Sequence, residues 1–264
     1  MAMNHVNLSV SLTSIALLLH AVPCFCEQAE HDLGLNSRVQ VGVDYTHVNL
    51  KPHGNPTFHG NLGGMLASYE YRPMNFFYGG LKFTWKEGDT HGSAGRRSLL
   101  YLDVQERAGY TFEWIKQNLV LTLFSGFGYR HIGQKLSPHD GDSVRFNYNE
   151  FYVPLGVLVN HDFRWWFALG VDFTWMPQVF PTVSIVPLKG ARWDLTRTLA
   201  NYFVEVPFTF TLTKNKKFQL ILDPFYEHWK DGHSTAKLSN GIPLGLPGNT
   251  YHFYGVDLIF AYNF

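Results

Sequence analysis

The sequence predicts an all-β protein, a ten-stranded antiparallel up-and-down transmembrane β-barrel with an N-terminal signal peptide. Three observations favour this fold. Apolar and polar residues alternate in ten segments, each of about ten residues, which is the length of a tilted strand that crosses a bilayer. The connections between the segments are alternately short and long. The last segment, GVDLIFAYNF at 255–264, ends without the charge or proline that protects a free sheet edge, so we expect it to pair with the first strand.

The composition narrows the possible functions. The 264 residues include 21 basic and 21 acidic side chains, and this balance gives no reason to expect nucleic acid as a partner. The cysteines are Cys24 and Cys26. If both are removed with a signal peptide, the mature chain has no disulfide, thiol nucleophile or thiolate metal site. We expect no cofactor.

The residues before the first segment predict export. Residues 10–22 are mostly apolar but too short to cross a bilayer as a helix, and PCFC and EQAEHD follow them. This pattern predicts a signal peptide at 1–26, cut before Glu27, a periplasmic lead at 27–36 and a barrel at 37–264. Residues 2–9 contain no Lys or Arg, so a buried N-terminal helix is the alternative.

The segments follow one another with the apolar residues on one parity. In the first segment Val39, Val41, Val43 and Tyr45 alternate with polar or small residues. A period of two places the apolar and polar sets on opposite faces of a strand. The segments lie at 38–45, 65–72, 81–85, 100–112, 119–130, 151–159, 165–175, 202–213, 218–227 and 255–264.

The connections predict the topology. Those after the second, fourth, sixth and eighth segments are PMN, EWIKQN, NHD and TKNK, whereas the other five are long and rich in Gly, Pro, His and Asn. Transmembrane barrels have tight periplasmic turns and longer external loops, so we expect both chain ends on the periplasmic side and five long loops outside. Pro154, Pro207 and Pro224 lie inside segments and predict bulges or kinks. Glu106 lies on the lipid parity, and a bulge near Gln105 is expected to turn it inward.

Aromatic residues at the outer ends of the segments favour a membrane barrel over its rival, a soluble β-barrel or sandwich, whose apolar face would point inward. Eight of them lie on the lipid-facing parity, as an interfacial girdle requires. The predicted girdle consists of Tyr45, Trp85, Tyr129, Phe151, Trp175, Tyr202, Tyr226 and Tyr254.

The polar parity predicts a lumen with nearly balanced charge. Side chains just fill a barrel of about eight strands, and wide aqueous channels appear at about sixteen. Ten strands with opposite charges inside predict a mostly plugged lumen with an ion-pair network, and a narrow pore for small solutes or ions is the alternative. The predicted lumen charges are Arg38, Asp44, Glu70, Arg72, Lys82, Lys86, Asp103, Arg107, Arg130, Asp172, Glu205, Asp223, Glu227 and Asp257.

The chain resembles the small outer-membrane β-barrel proteins of Gram-negative bacteria across roughly residues 37–264. The resemblance lies in GVDLIFAYNF, in SGFGYRH at 125–131 and in FYVPLGV at 151–157. It implies a place in the bacterial outer membrane, in contact with lipid and lipopolysaccharide. The terminal aromatic strand is similar to the signal that the barrel-assembly machinery reads, and Phe260, Tyr262 and Phe264 would carry it.

The resemblance identifies an architecture and not an activity. We expect a non-enzymatic envelope protein whose loops at 131–149, 177–198 and 231–250 stabilise the membrane or contact an extracellular surface ligand. The alternative is an outer-membrane hydrolase, either a lipid-A-modifying enzyme or an omptin-like protease. Omptins have ten strands and carry acidic residues and a histidine at the outer rim. The matching candidates are Asp140, Asp142, Asp231 and His233, but the chain is expected to be too short for the tall omptin barrel.

Two further loop features predict no specific site. The histidines His53, His59, His91, His139 and His233 would suit zinc or copper, but none has a ligand spacing on a rigid element. We therefore expect no metal site there. The sequence GRR at 95–97 is a short basic tip, expected to be solvated or to contact lipopolysaccharide.

Overall fold

The structure, a computed structural model, describes residues 36–114, 118–138, 142–186, 192–234 and 245–264. The predicted signal peptide with Cys24 and Cys26 lies outside the described residues, as do His139 and Asp140. No helix among the described residues is long and apolar enough to cross a membrane.

Fourteen β-strands of the described residues form one antiparallel sheet. In chain order they are β1 (Ser37–Pro52), β2 (Phe58–Tyr71), β3 (Phe77–Gly92), β4 (Gly95–Trp114), β5 (Leu119–Ser137), β6 (Val144–Tyr152), β7 (Leu155–Arg164), β8 (Phe167–Trp175), β9 (Thr182–Val186), β10 (Arg192–Asp194), β11 (Tyr202–Glu205), β12 (Phe208–Thr211), β13 (Phe218–Lys230) and β14 (Asn249–Asn263). The sheet closes because β1 pairs with β2 on one side and with β14 on the other.

These strands build a closed barrel of ten, as predicted. The sixth barrel strand consists of β6 and β7, the seventh of β8 and β9, and the eighth of β10, β11 and β12. The other seven strands are each continuous. The start of β1, the end of β14 and the short turns lie at one end of the barrel. We call it the periplasmic end, following the topology of transmembrane barrels, and we call the opposite end the external end.

Two of the three predicted proline irregularities interrupt a barrel strand. The chain leaves the ladder between β6 and β7 at Pro154 and between β11 and β12 at Pro207. Pro224 stays inside β13, where it lies opposite Val256. Its carbonyl oxygen accepts a hydrogen bond from the Val206 N–H at 3.0 Å. The missing N–H of Pro224 is thus tolerated beside the gap in the neighbouring strand.

The predicted bulge near Gln105 is wrong. β4 pairs without interruption with both neighbours, and Glu106 lies opposite Leu81 on β3 and Phe127 on β5. The Glu106 side chain is therefore exposed on the outer face of the barrel. It lies two residues from Val104, the cross-strand partner of Tyr129. A lipid-facing carboxylate costs little so close to the interface, which explains why no bulge is needed.

The short turns lie where predicted except for one. Asn75, Asn118 and Lys216 have positive φ angles of 52°, 48° and 56°, in the turns that contain PMN, EWIKQN and TKNK. Asparagine tolerates this conformation well. NHD, by contrast, lies inside β7, where His161 is paired with β8, and the chain turns at 165–166. Polar residues near the end of a strand resemble a turn in the sequence.

The external half of the barrel is taller than predicted. β4 contains 20 residues and β5 contains 19, whereas a crossing strand needs about 9–11. The first external connection is only 53–57, the second is 93–94 and the third is 138–143. The prediction of five long loops is therefore wrong, and most of 131–149 belongs to β5 and β6.

The chemistry of the two faces exchanges along strands such as β1, where they pass from the membrane-spanning half to the external half. Val41 and Val43 of β1 face outward and are 54% and 60% exposed, whereas Val48 and Leu50 face inward and are fully buried. The parity is unchanged, but the inward positions become apolar. They form a hydrophobic core inside the barrel: Val48, Leu50, Phe58, Leu62, Leu99, Tyr101, Ile132, Tyr148, Tyr152, Met176, Val183, Ile185, Trp193, Leu195, Phe225, Trp229, Tyr251 and Phe253.

Candidate functional site

An ionic layer crosses the barrel interior beneath this core. At its centre Arg130 donates from Nε to Asp103 Oδ2 at 2.9 Å, and its Nη1 forms an ion pair with Glu227. The Arg130 guanidinium carbon lies 3.9 Å from the ring centroid of Trp229. All four side chains are buried. A desolvated cation of this kind is stable only when its buried charge is fully paired.

The other predicted lumen charges also point into the barrel, and most form pairs between different strands. Arg107 Nη1 lies 2.7 Å from Asp172 Oδ2, and Lys86 Nζ lies 3.3 Å from Asp44 Oδ2. The remaining interior pairs are Arg38 with Glu70 and Lys82 with Glu205. Each of these charges is therefore neutralised by a partner close to it.

Three predicted charges have no ion pair among the described residues. Arg72 instead donates to Thr122 Oγ1 and to Asn160 Oδ1, both at 2.9 Å. Asp223 and Asp257 are cross-strand partners that are 5% and 3% exposed. One carboxylate oxygen of each accepts no hydrogen bond.

The layer leaves little open space. A cavity of about 70 Å³ is lined by Arg38, Arg72, Arg107 and Asp172, among others. A second cavity of about 30 Å³ lies beside Arg130. Because one water molecule needs at least about 10–15 Å³ of such space, these cavities have room for a few water molecules.

Aromatic rings fill the interior on the external side of the layer. Tyr152 lies 5.6 Å from Trp229, and Tyr251 stacks on Phe253 at 5.6 Å with an angle of 6° between the rings. Gly128, from SGFGYRH, faces Tyr152, and a Cβ atom there would lie 2.1 Å from the ring carbon Cζ. Glycine at this position therefore allows the Tyr152 ring to lie across the lumen.

A pair of carboxyl groups, Glu150 and Asp231, is fully buried in this core. Trp229 Nε1 donates to Glu150 Oε2 at 2.5 Å and to Asp231 Oδ1 at 3.1 Å, and Tyr251 Oη donates to Asp231 Oδ2 at 3.0 Å. Burial and the neighbouring Asp231 carboxyl raise the pKa of Glu150 well above its ordinary value, which favours a proton on this group. Burial raises the pKa of Asp231 above its ordinary value. Glu150 is not among the residues predicted from the sequence, because the predicted segment begins at Phe151.

The eight predicted girdle residues all face outward. Six of them form three direct cross-strand pairs, which are Tyr129 with Phe151, Trp175 with Tyr202 and Tyr226 with Tyr254. The other two are Tyr45 and Trp85.

A second aromatic band, which was not predicted from the sequence, surrounds the periplasmic end. Its rings contact one another across neighbouring strands and include Phe76, Phe77, Tyr110, Phe112, Phe218, Phe260, Tyr262 and Phe264. The three predicted assembly residues thus belong to this band. Phe264 also closes the barrel, since its N–H donates to the Ser37 carbonyl oxygen at 2.9 Å. The sequence pattern that identifies this band is the lipid-facing apolar parity, which continues to the periplasmic ends of the strands.

The predicted hydrolase candidates occupy different environments. Asp231 lies in the buried carboxyl pair, whereas His233 is exposed and its Nε2 lies 3.3 Å from Thr196 Oγ1. Asp142 is exposed in the third external connection. Asp140 lies outside the described part of the chain.

GRR begins β4 and is not a loop tip. Gly95 has a φ angle of +122°, which L side chains rarely adopt. Arg96 faces outward and pairs with Asp89. Arg97 turns inward, where it donates to Gln134 Oε1 at 2.6 Å. The expectation of a solvated basic tip is therefore wrong for Arg97.

Two of the loop histidines lie on strands. His59 on β2 and His91 on β3 are cross-strand partners, whereas His53 and His233 lie outside the strands. Across the described ranges there is no cluster of three or more histidine, cysteine, aspartate or glutamate side chains arranged to hold a metal ion.

Comparison with known proteins agrees with this architecture. Residues 15–181 match the family model described as outer membrane protein beta-barrel domain. No curated protein matches the sequence. The outer membrane protease OmpT from Escherichia coli superposes with a TM-score of 0.62 and 10% identity, over 90% of this chain and 99% of OmpT.

Two other solved structures are similar at lower TM-scores. The translocator domain of the autotransporter NalP from Neisseria meningitidis gives a TM-score of 0.46 and 11% identity, over 98% of this chain and 100% of that chain. The toluene transporter TodX from Pseudomonas putida gives a TM-score of 0.41 and 9% identity, over 86% of this chain and 89% of that chain.

At 10% identity the likeness to OmpT concerns the fold alone. It nevertheless extends over 99% of the OmpT chain, so the expectation that this chain is too short for the tall omptin barrel is wrong. The family model covers residues 15–181 of 264, more than half of the sequence. The chain therefore belongs to the outer membrane protein beta-barrel family of Gram-negative bacteria.

Proposed function

We propose that the protein is a closed outer-membrane barrel with a structural and surface-contact role, and that it is not a pore or an enzyme. The observation that carries this proposal is the hydrophobic core inside the external half, with Trp193, Trp229 and Tyr251 fully buried. A water-filled channel would need polar, solvated side chains at these inward positions. The ionic layer below the core adds paired charges across the same cross-section.

Exposed basic residues on the outer wall of the barrel suggest lipopolysaccharide as a partner. Lys135 on β5 and Arg145 on β6 are exposed cross-strand partners above the girdle, and Arg192 on β10 is exposed as well. Phosphate groups of lipopolysaccharide would neutralise these cations at the membrane surface. During biogenesis the terminal strand is proposed to meet the barrel-assembly machinery, and the external rim is proposed to contact an extracellular surface ligand.

Planar-bilayer conductance of purified, folded protein tests the closed lumen. We expect no stable channels, with heat-modifiable migration on gels as the control for folding. Stable channels whose conductance changes in Arg107→Ala or Glu205→Ala would overturn the proposal and favour a narrow pore for ions or small solutes.

A hydrolase is the other alternative, because the fold is similar to that of a protein named as a protease. The proposal of a non-enzyme is supported by the burial of Asp231 among Trp229, Tyr251 and Asn249, which leaves this carboxylate no access to a substrate. Peptide-cleavage and lipid-A-hydrolysis assays on the folded protein are expected to be negative. Activity that disappears in Asp140→Ala or His233→Ala would contradict this part of the proposal.

A further inference from the structure

One lateral row of outward-facing side chains runs along the external part of the barrel wall and reaches the girdle at Tyr202. The cross-strand register connects its members through six strands from β3 to β11, in the order His91, His59, Asn49, His252, His228 and Tyr202. The row contains two cross-strand histidine pairs on either side of Asn49. These are the only directly paired histidines among the strand registers of the described residues.

The pair on β13 and β14 has the geometry of a chelate. His228 Nδ1 and His252 Nδ1 lie 3.5 Å apart. An ion bound tetrahedrally at 2.0–2.1 Å to both would require nitrogens about 3.3–3.4 Å apart. The Tyr226 hydroxyl lies 2.8 Å from His252 Nδ1 and adds an oxygen at the same place.

The surrounding residues keep both imidazoles in place. The Tyr202 ring stacks on His228 at 5.3 Å, and the Tyr226 ring stacks on His252 at 6.2 Å. These ring contacts restrict the two imidazoles that would hold an ion.

We propose that His228 and His252 form a site for a divalent transition-metal ion, Cu²⁺ or Zn²⁺. Imidazole nitrogen suits both metals, and the Tyr226 hydroxyl and solvent would complete the coordination shell. Lys51 and Lys230 lie one row farther from the membrane, opposite each other across Thr250. Their positive charges reduce the affinity of the site and favour an exchangeable ion over a permanent one.

The second histidine pair supplies a matched control. His59 lies in the same row, but its Nδ1 is hydrogen-bonded to Asn49 Oδ1 on the other neighbouring strand. Replacing His59 or His91 therefore removes an imidazole from the same level of the wall without touching the proposed site.

The experiment uses folded, untagged protein in detergent, titrated with Cu²⁺ and Zn²⁺ separately. Loss of a hydrogen-bonding partner of a metal ligand already costs roughly 10–100-fold in affinity, so His228→Ala and His252→Ala should each weaken binding at least as much. His59→Ala and His91→Ala should bind like the wild type. The Cu²⁺ electron paramagnetic resonance spectrum should show two coordinated imidazole nitrogens in the wild type and one in His228→Ala.

Several outcomes would overturn the site. They are wild-type binding no tighter than that of the double variant His228→Ala/His252→Ala, unchanged binding in either single variant, or a loss of binding that follows His59 and His91 instead. Heat-modifiable migration of each variant confirms that folding is retained.

Discussion

Arg130 shows how far the sequence predicts the interior at the scale of single residues. Alternation alone placed Arg130, Asp103 and Glu227 inside the barrel, and all three are buried. Asp103 is the cross-strand partner of Arg130 on the neighbouring strand. The contact of Arg130 with Glu227 could not be predicted, because β5 and β13 are not neighbours in the sheet. Which inward residues meet across a lumen depends on the tilt and shear of the strands, and alternation does not determine these.

Replacing Arg130 by methionine should destabilise the barrel strongly. The variant leaves Asp103 and Glu227 buried without their cation, and breaking a buried pair in this way typically costs about 3–5 kcal/mol. The temperature at which the folded band converts to the unfolded band on a gel measures the loss. Adding Asp103→Asn and Glu227→Gln to this variant should recover most of the lost stability. A triple variant as unstable as Arg130→Met would contradict the role of Arg130 as a counter-charge.

Asp231 predicts a dependence of stability on pH. Because burial raises its pKa, the folded state binds the proton more tightly than the unfolded chain does. The stability from this group is present at low pH and is lost as the pH rises from the unfolded value of about 3.9 towards the higher folded value.

Asp231→Asn keeps an oxygen that can accept the hydrogen bond from Tyr251 and removes the charge. It should therefore raise the unfolding temperature, relative to the wild type, more at about pH 8 than at about pH 4. Asp194→Asn, at an exposed position on β10, is the control and should change little. An equal effect of Asp231→Asn at both pH values would contradict the assigned pKa shift.

At the scale of strands, the sequence predicted the membrane-spanning halves and missed the external halves. Val41 and Val43 lie on an apolar parity that identifies a lipid-facing strand. Beyond Tyr45 the apolar residues move to the opposite parity, as with Val48 and Leu50. A strand predicted from one continuous apolar face therefore ends where the apolar parity changes. The polar residues at the outward positions beyond this point resemble a loop in the sequence.

The terminal strand carries a prediction about assembly. Deleting Phe264 should reduce the amount of folded protein in the outer membrane far more than it lowers the unfolding temperature of the molecules that do fold. The matched control is Phe76→Ala, because Phe76 is 51% exposed in the same aromatic band and Phe264 is 52% exposed. Cell fractionation and gel migration measure both quantities. Equal losses for the two variants would mean that Phe264 acts only as a membrane anchor.

At the scale of the whole molecule, two environments are stacked along one barrel. The membrane-spanning half is apolar outside and holds ion pairs such as Arg107 with Asp172 inside. The external half is polar outside and apolar inside, like a soluble barrel. Composition could not predict this arrangement, because the arrangement depends on which face of a strand each residue occupies. The filled interior is the basis for proposing a structural and surface-contact role.

The accessibility of single cysteines to a membrane-impermeant maleimide tests the filled interior most directly. In a chain with Cys24→Ser and Cys26→Ser, adjacent inward and outward positions are compared: Leu50→Cys with Lys51→Cys on β1, and Gln134→Cys with Lys135→Cys on β5. Leu50 and Gln134 are fully buried, whereas Lys51 and Lys135 are exposed. We predict that the folded protein is labelled at positions 51 and 135 only, and that positions 50 and 134 react after denaturation. Labelling of all four positions in the folded protein would show that water fills the external half and would contradict the closed barrel.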